Sequence, residues 1–144
     1  MKDSERLQLD NQLCFALYST SLAMTQLYKR YLSPLGITYT QYTILLILWE
    51  QDDVSLKFVA DRLGQKSGSL TPVIKRMEQE GLIQRIRGLN DDRALSIRLT
   101  DKGQAMREQA AEINQCLLDA CGMPLDDLAA LREQVLSLRN KLIE

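Results

Sequence analysis

Three cysteines, Cys14, Cys116 and Cys121, are the residues of this 144-residue chain best suited to covalent chemistry, and no histidine accompanies them. No two of them form a Cys-x-x-Cys pair, so neither a zinc knuckle nor a thioredoxin-type dithiol is supported. Without histidine, Ser-His-Asp and Cys-His catalysis, His-containing metal sites and a histidine pH switch are all excluded. The expectation is therefore no metal, no cofactor and no enzymatic activity. What remains is a thiol that acts alone as a redox centre. Its competing reading is packing, which residue type alone favours, because free cysteine is among the most buried residue types.

A second kind of chemistry is electrostatic. The net charge of −1 argues weakly against a nucleic-acid partner, but its distribution matters more than the total. Residues 62–102 carry nine Lys/Arg against five acids, a local charge of +4 that the ends of the chain offset. Apolar residues make up 45% and charged residues 26%, as in an ordinary globular protein. No apolar run approaches the roughly 20 residues of a membrane span. The opening MKDSERLQLDNQ does not read as a signal peptide, so a cytoplasmic protein with reduced thiols is expected.

The elements that must position these groups follow from periodicity. Residues 9–31 pattern as a helix ended by Pro34-Leu35-Gly36. Thr38 and Gln41 form a capping box before the apolar run Tyr42 to Trp49, a buried helix broken at Asp52-Asp53. Ser55 caps a short helix over 56–63 that stops at Gly64. A second helix follows the turn. Thr71-Pro72 suggests a start there, while Ser67 offers a start one turn earlier, and the helix ends at Gly81. The pair reads as a helix-turn-helix.

On either side of Gly88 the period changes to two, giving a hairpin with a polar tip at residues 88–92, which is a wing. Thr100 caps a long helix from 101 to about 120, and Gly122 and Pro124 precede a last helix. Its Leu125, Leu128, Leu131, Val135, Leu138 and Leu142 form one apolar stripe. The fold class is mainly α, an α+β winged helix-turn-helix with six helices and a β-hairpin wing. The first and last helices carry more apolar surface than the central module can cover, so a homodimer on a palindromic duplex is expected. The segments are 1–36 for dimerisation, with the cysteine; 37–103 for DNA binding; and 104–144 for C-terminal dimerisation helices.

The motifs Asn90-Asp91-Asp92-Arg93 and Leu99-Thr100-Asp101-Lys102-Gly103, in this order of elements, resemble the MarR family of bacterial regulators. The stretch from Leu9 to Ser19, with Leu27-Tyr28 and Ile37-Thr38-Tyr39-Thr40-Gln41-Tyr42, is similar to its organic-hydroperoxide-sensing branch, OhrR. The resemblance covers nearly the whole chain. It implies a repressor whose redox-sensing Cys14 is oxidised by an organic hydroperoxide, and it reverses the preference for packing. It also implies thiolate-stabilising roles for Tyr18, Tyr28 and Tyr39. Tyr18 is four residues after Cys14, one turn on along the same face. Tyr28 is 14 residues on, about 21 Å along a straight helix, so it serves the cysteine of a second subunit or none.

Two-cysteine members of the branch resolve the oxidised sulfur as a disulfide with a thiol from the other subunit. That thiol is expected near position 119, an aspartate here. The candidate resolving thiols are then Cys116, one turn earlier on nearly the same face and preferred, and Cys121. For DNA, the resemblance places the helix over 67–80 in the major groove. Ser67, Ser69 and Thr71 would meet bases or phosphates, and Lys66, Lys75 and Arg76 the backbone. Arg93, steadied by Asp91, would enter the minor groove, flanked by Arg85, Arg87 and Arg98. Competing readings are a MarR-type repressor released by a small phenolic or drug-like ligand, with Cys14 structural, and a thiol peroxidase.

Overall fold

A computed structural model describes residues 2–87 and 95–143. Its order is α1 (Asp3–Arg6), a 3-10 turn (Leu9–Asn11), α2 (Leu13–Leu32), a second 3-10 turn (Ser33–Leu35), α3 (Tyr39–Glu50), β1 (Val54–Ser55), α4 (Leu56–Leu63), α5 (Ser67–Gln79), β2 (Ile83–Arg87), β3 (Leu95–Leu99), α6 (Asp101–Cys121) and α7 (Leu125–Leu142). The described residues thus form seven α-helices and a three-stranded antiparallel sheet, where the sequence suggested six helices and a two-stranded hairpin. The additional helix is α1, a single turn. The additional strand is β1, whose two residues are too short to leave a periodic signal.

Residues 2–12 fold back on themselves rather than joining the first long helix. The Asn11 side chain donates to the Glu5 carbonyl at 2.7 Å, and the Gln12 side chain donates to the Arg6 and Gln8 carbonyls. These amides compete with the helical ladder, and α2 begins only at Leu13.

The core of residues 1–109 is built on α3. Tyr42, Ile44, Leu45, Ile47 and Leu48 are all buried, joined by Leu32 from α2, Val59 from α4, and Leu70, Ile74 and Met77 from α5. Gln41 is buried too, and its capping role explains why. Its side-chain oxygen accepts the Thr38 N–H at 3.0 Å, while the Thr38 hydroxyl accepts the Gln41 N–H at 3.2 Å. Ser55 caps α4 by accepting the Phe58 N–H at 3.0 Å, and Gly64 closes that helix in the left-handed region at φ 67°. Of the two starts left open for the next helix, Ser67 is the one adopted, which leaves Pro72 inside α5.

β3 is the central strand, in the order β1-β3-β2, with Arg85 opposite Ile97 and Val54 opposite the same Ile97. The corner after α3 fixes that sheet. One Asp52 carboxylate oxygen accepts both the Asp53 N–H at 2.8 Å and the Leu99 N–H at 2.9 Å, and Asp53 pairs with Arg98 at 3.0 Å. Asp53 itself sits at φ 56°, a conformation that Asp tolerates better than most residues.

The first turn of α6 locks onto the α5–β2 turn. Thr100 donates to the Gly81 carbonyl at 2.6 Å and accepts the Gly103 N–H at 3.1 Å, while Lys102 donates to the Glu80 carbonyl at 2.9 Å. A Cβ at Gly103 would overlap the Leu82 carbonyl oxygen, so only glycine permits this approach. Residues 110–144 form a second unit, in which Gly122 at φ 63° separates the end of α6 from α7. On α7, Leu125, Leu131, Val135 and Leu142 are exposed.

Candidate nucleic-acid interface and redox site

α5 is amphipathic, with Leu70, Ile74 and Met77 inward and Gly68, Ser69, Pro72, Lys75, Arg76 and Gln79 exposed. The residues anticipated to meet DNA fall into two groups. Lys66, Ser69 and Lys75 are exposed, and neither lysine makes an ion pair among the described residues. Arg87, at the end of β2, is likewise exposed. The others are engaged within the protein. Thr71, half-buried, donates its hydroxyl to the carbonyl of half-buried Ser67 at 3.2 Å. Arg76 pairs with Glu80 at 3.0 Å.

Arg85 is held more firmly. The Glu78 carboxylate accepts its backbone N–H at 2.9 Å and its Nε at 3.0 Å, and lies 2.9 Å from Nη2. The backbone hydrogen bond first, and the guanidinium second, hold the Glu78 carboxyl below the usual glutamate range. This clamp ties the end of α5 to the first wing strand. Sequence reasoning missed it, because nothing in the local period links positions 78 and 85. Asp91 and Arg93 lie outside the described residues.

Cys14 and Tyr18 are both exposed on the first turns of α2, and Cys14 is a free thiol. Leu13, Leu22 and Met24 are exposed on the same helix. Tyr28 lies on this same unbroken helix, 14 residues along, and is buried. Its ring sits 5.0 Å from that of Tyr39 and 5.3 Å from that of Tyr42, with Tyr39 and Tyr42 6.3 Å apart, all tilted. Two of the three anticipated tyrosines are therefore brought together, and Tyr18 is not among them. Tyr42 is the third member of the cluster, and its spacing of three from Tyr39 on a helix was the available signal. Tyr39 is 40% exposed and Tyr42 2%, so the cluster presents one phenol outward from a buried base. Cys116 is an exposed free thiol and Cys121 a half-buried one. No group of His, Cys, Asp or Glu that could hold a metal occurs among the described residues, and no described helix is long and apolar enough to cross a membrane.

A short helix, a tight turn, an exposed polar helix and an antiparallel hairpin define the winged-helix class of DNA-binding proteins. A MarR family model matches residues 37–95. The organic hydroperoxide resistance transcriptional regulator of Bacillus subtilis is 41% identical over 138 residues, covering 96% of this chain and 94% of that protein. The transcriptional regulator TtmR of Methylorubrum extorquens is 40% identical, over 93% of this chain and 69% of its own length. Among solved structures, reduced AbfR bound to DNA is 37% identical with a TM-score of 0.80, covering 99% of this chain and all of that one. Disulfide-formed AbfR is 38% identical with a TM-score of 0.69, covering 97% of this chain and 95% of that one. The chain belongs to the MarR family of DNA-binding transcription regulators, and it is a regulator rather than an enzyme.

Proposed function

We propose that this regulator is a homodimeric repressor that senses organic hydroperoxides through Cys14 and releases a palindromic operator when that cysteine is oxidised. The observation that carries the reading is the tyrosine cluster, with the Tyr28 and Tyr39 rings 5.0 Å apart. Tyr28 shares a continuous helix with Cys14, about 21 Å away at ~1.5 Å per residue, so the cluster cannot serve the sulfur of its own chain. It can serve the Cys14 of a partner. The exposed apolar residues of α2 and α7 supply the surface for pairing two copies.

In the first step the Cys14 thiolate attacks the terminal peroxide oxygen. The S–O bond forms as the O–O bond breaks, the sulfur is oxidised to a sulfenic acid, and the alkoxide leaves to become an alcohol on taking a proton. Phenolic O–H groups aimed at the sulfur favour its anionic form. The sulfenic acid then condenses with a second thiol, releasing water and forming a disulfide. Cys116 of the partner copy is the preferred resolving thiol, with Cys121 or a small thiol as the other sources. The added bond competes with the tyrosine contacts and shifts the dimer from its DNA-binding arrangement. Lys66, Lys75 and Arg87 hold phosphates in the bound state, with Arg93 and Asp91 of the wing at the minor groove.

The similarity to the Bacillus hydroperoxide regulator and the existence of both DNA-bound and disulfide-formed AbfR structures support this reading. The test is binding to the duplex upstream of the protein's own gene, before and after one equivalent of cumene hydroperoxide. Release by the wild type and retention by Cys14→Ser are expected. Retention by both would make Cys14 structural, and release of both by a phenolic ligand would assign the switch to small-molecule binding.

A further inference from the structure

The outward face of α5 has an unusual centre. At 100° per residue, Gly68, Pro72, Lys75 and Gln79 fall within about 60° of one another, opposite the buried Leu70, Ile74 and Met77. All four are exposed. In the N-terminal half of the helix, the part that winged helices press deepest into the groove, this centre offers no side-chain hydrogen-bond donor or acceptor. Gly68 has no side chain, with open space where a Cβ would stand. Pro72 offers only the CH₂ edge of its ring.

The nearby guanidiniums do not fill this gap. Arg76 is tethered through Nε to Glu80 at 3.0 Å and Arg85 is clamped by Glu78, so both guanidiniums are drawn toward carboxylates of their own chain and away from this centre. The Thr71 hydroxyl donates to the Ser67 carbonyl. Pro72 also has no N–H to give the carbonyl four residues back, which is that of Gly68, so this backbone acceptor loses its usual helical donor on the same face. An apolar edge beside a carbonyl acceptor matches a T·A pair in the major groove. Thymine presents its C5 methyl there, and adenine the N6 amino donor.

We propose that Pro72 is a specificity-determining residue that reads a thymine methyl in each half-site, with the bare Gly68 letting the helix come close enough to do so. This rests on α5 occupying the major groove. It makes part of operator recognition apolar, where the exposed hydroxyls and lysines of the helix would suggest polar readout.

The experiment uses the reduced full-length protein and a duplex that it recovers from a randomised pool, with each thymine replaced in turn by uracil, which differs only by the methyl. Loss of one buried methyl corresponds to about fourfold in affinity per half-site and about 15-fold for both. One thymine per half-site is expected to show this loss with the wild type and no loss with Pro72→Ser. Serine restores the helical N–H and suits a helix better than proline, so folding is not at risk. Dimethyl sulfate protection of guanine N7 on the same duplex reports whether α5 enters the major groove. Protection with no uracil-sensitive position, or with one equally sensitive in Pro72→Ser, overturns the role of Pro72 alone. Absence of both protection and uracil sensitivity overturns the groove placement with it.

Discussion

Glu78→Gln isolates the clamp between the recognition helix and the wing. In the native protein one carboxylate oxygen takes the Arg85 N–H at 2.9 Å, and the other takes Nε at 3.0 Å with Nη2 at 2.9 Å. Glutamine keeps one acceptor but must turn its NH₂ toward a donor, so one of the two bonding sites becomes a clash. Charge-assisted bonds of this kind are worth roughly 1.5–3 kcal/mol when well buried. The two side chains here are 35% and 29% exposed, and solvent screening brings the expected loss down to about 1–2 kcal/mol. That corresponds to a fall in Tm of roughly 3–8 °C, read at a fixed protein concentration because a dimer is expected.

The pH dependence gives the sharper result. Because the folded carboxyl lies below its unfolded range, its contribution is complete at neutral pH and disappears as pH falls through the lowered folded value. Wild type and variant should therefore differ at about pH 7 and converge only as pH falls below the usual glutamate range and through that lowered value. Equal Tm values at neutral pH, or an undiminished gap in acid, would refute the assignment of the clamp as an ionised, structurally engaged pair.

Gly103→Ala is expected to cost about 1–3 kcal/mol, since its methyl would overlap the Leu82 carbonyl. The Trp49 Nε1–H donates to the Gly103 carbonyl at 3.0 Å, so a shift in tryptophan emission should accompany the fall in Tm. Lys66→Ala and Lys75→Ala should each weaken all duplexes alike and reduce the slope of log K against log salt by about 1 for each phosphate left without its lysine. Tyr39→Phe should leave reduced DNA binding intact but slow the reaction of Cys14 with hydroperoxide several-fold, measured by loss of titratable thiol. An unchanged rate would remove the tyrosine cluster from the sensing chemistry.

Much of the fold was legible because its signals are local. Thr38 with Gln41, Ser55 before Phe58 and Gly64 each cap or stop a helix through contacts within a few residues, and the structure contains each of them. The α5 start was ambiguous because Ser67 and Thr71-Pro72 both carry starting signals, and it resolved toward the longer helix. What stayed hidden depends on pairs distant in sequence. Asp52 with Leu99, Lys102 with the Glu80 carbonyl and β1 with β3 lie too far apart to leave a period. The candidate site divides in the same way. Cys14, Tyr28 and Tyr39 came from residue type and family resemblance, whereas Tyr42 as the buried support of the two tyrosines and the engagement of Arg76 and Arg85 came only from the packed structure.

The most direct test titrates the protein–operator complex with cumene hydroperoxide below one equivalent per subunit. DNA release would be followed by fluorescence anisotropy, and oxidation at each cysteine by mass spectrometry of the same samples. If Cys14 is the sensor, release from the wild type should track oxidation of Cys14 to its disulfide in proportion, and the Cys14→Ser protein should stay bound throughout. DNA that stays bound as the oxidised fraction of Cys14 rises, or is released while Cys14 remains a thiol, would contradict the assignment.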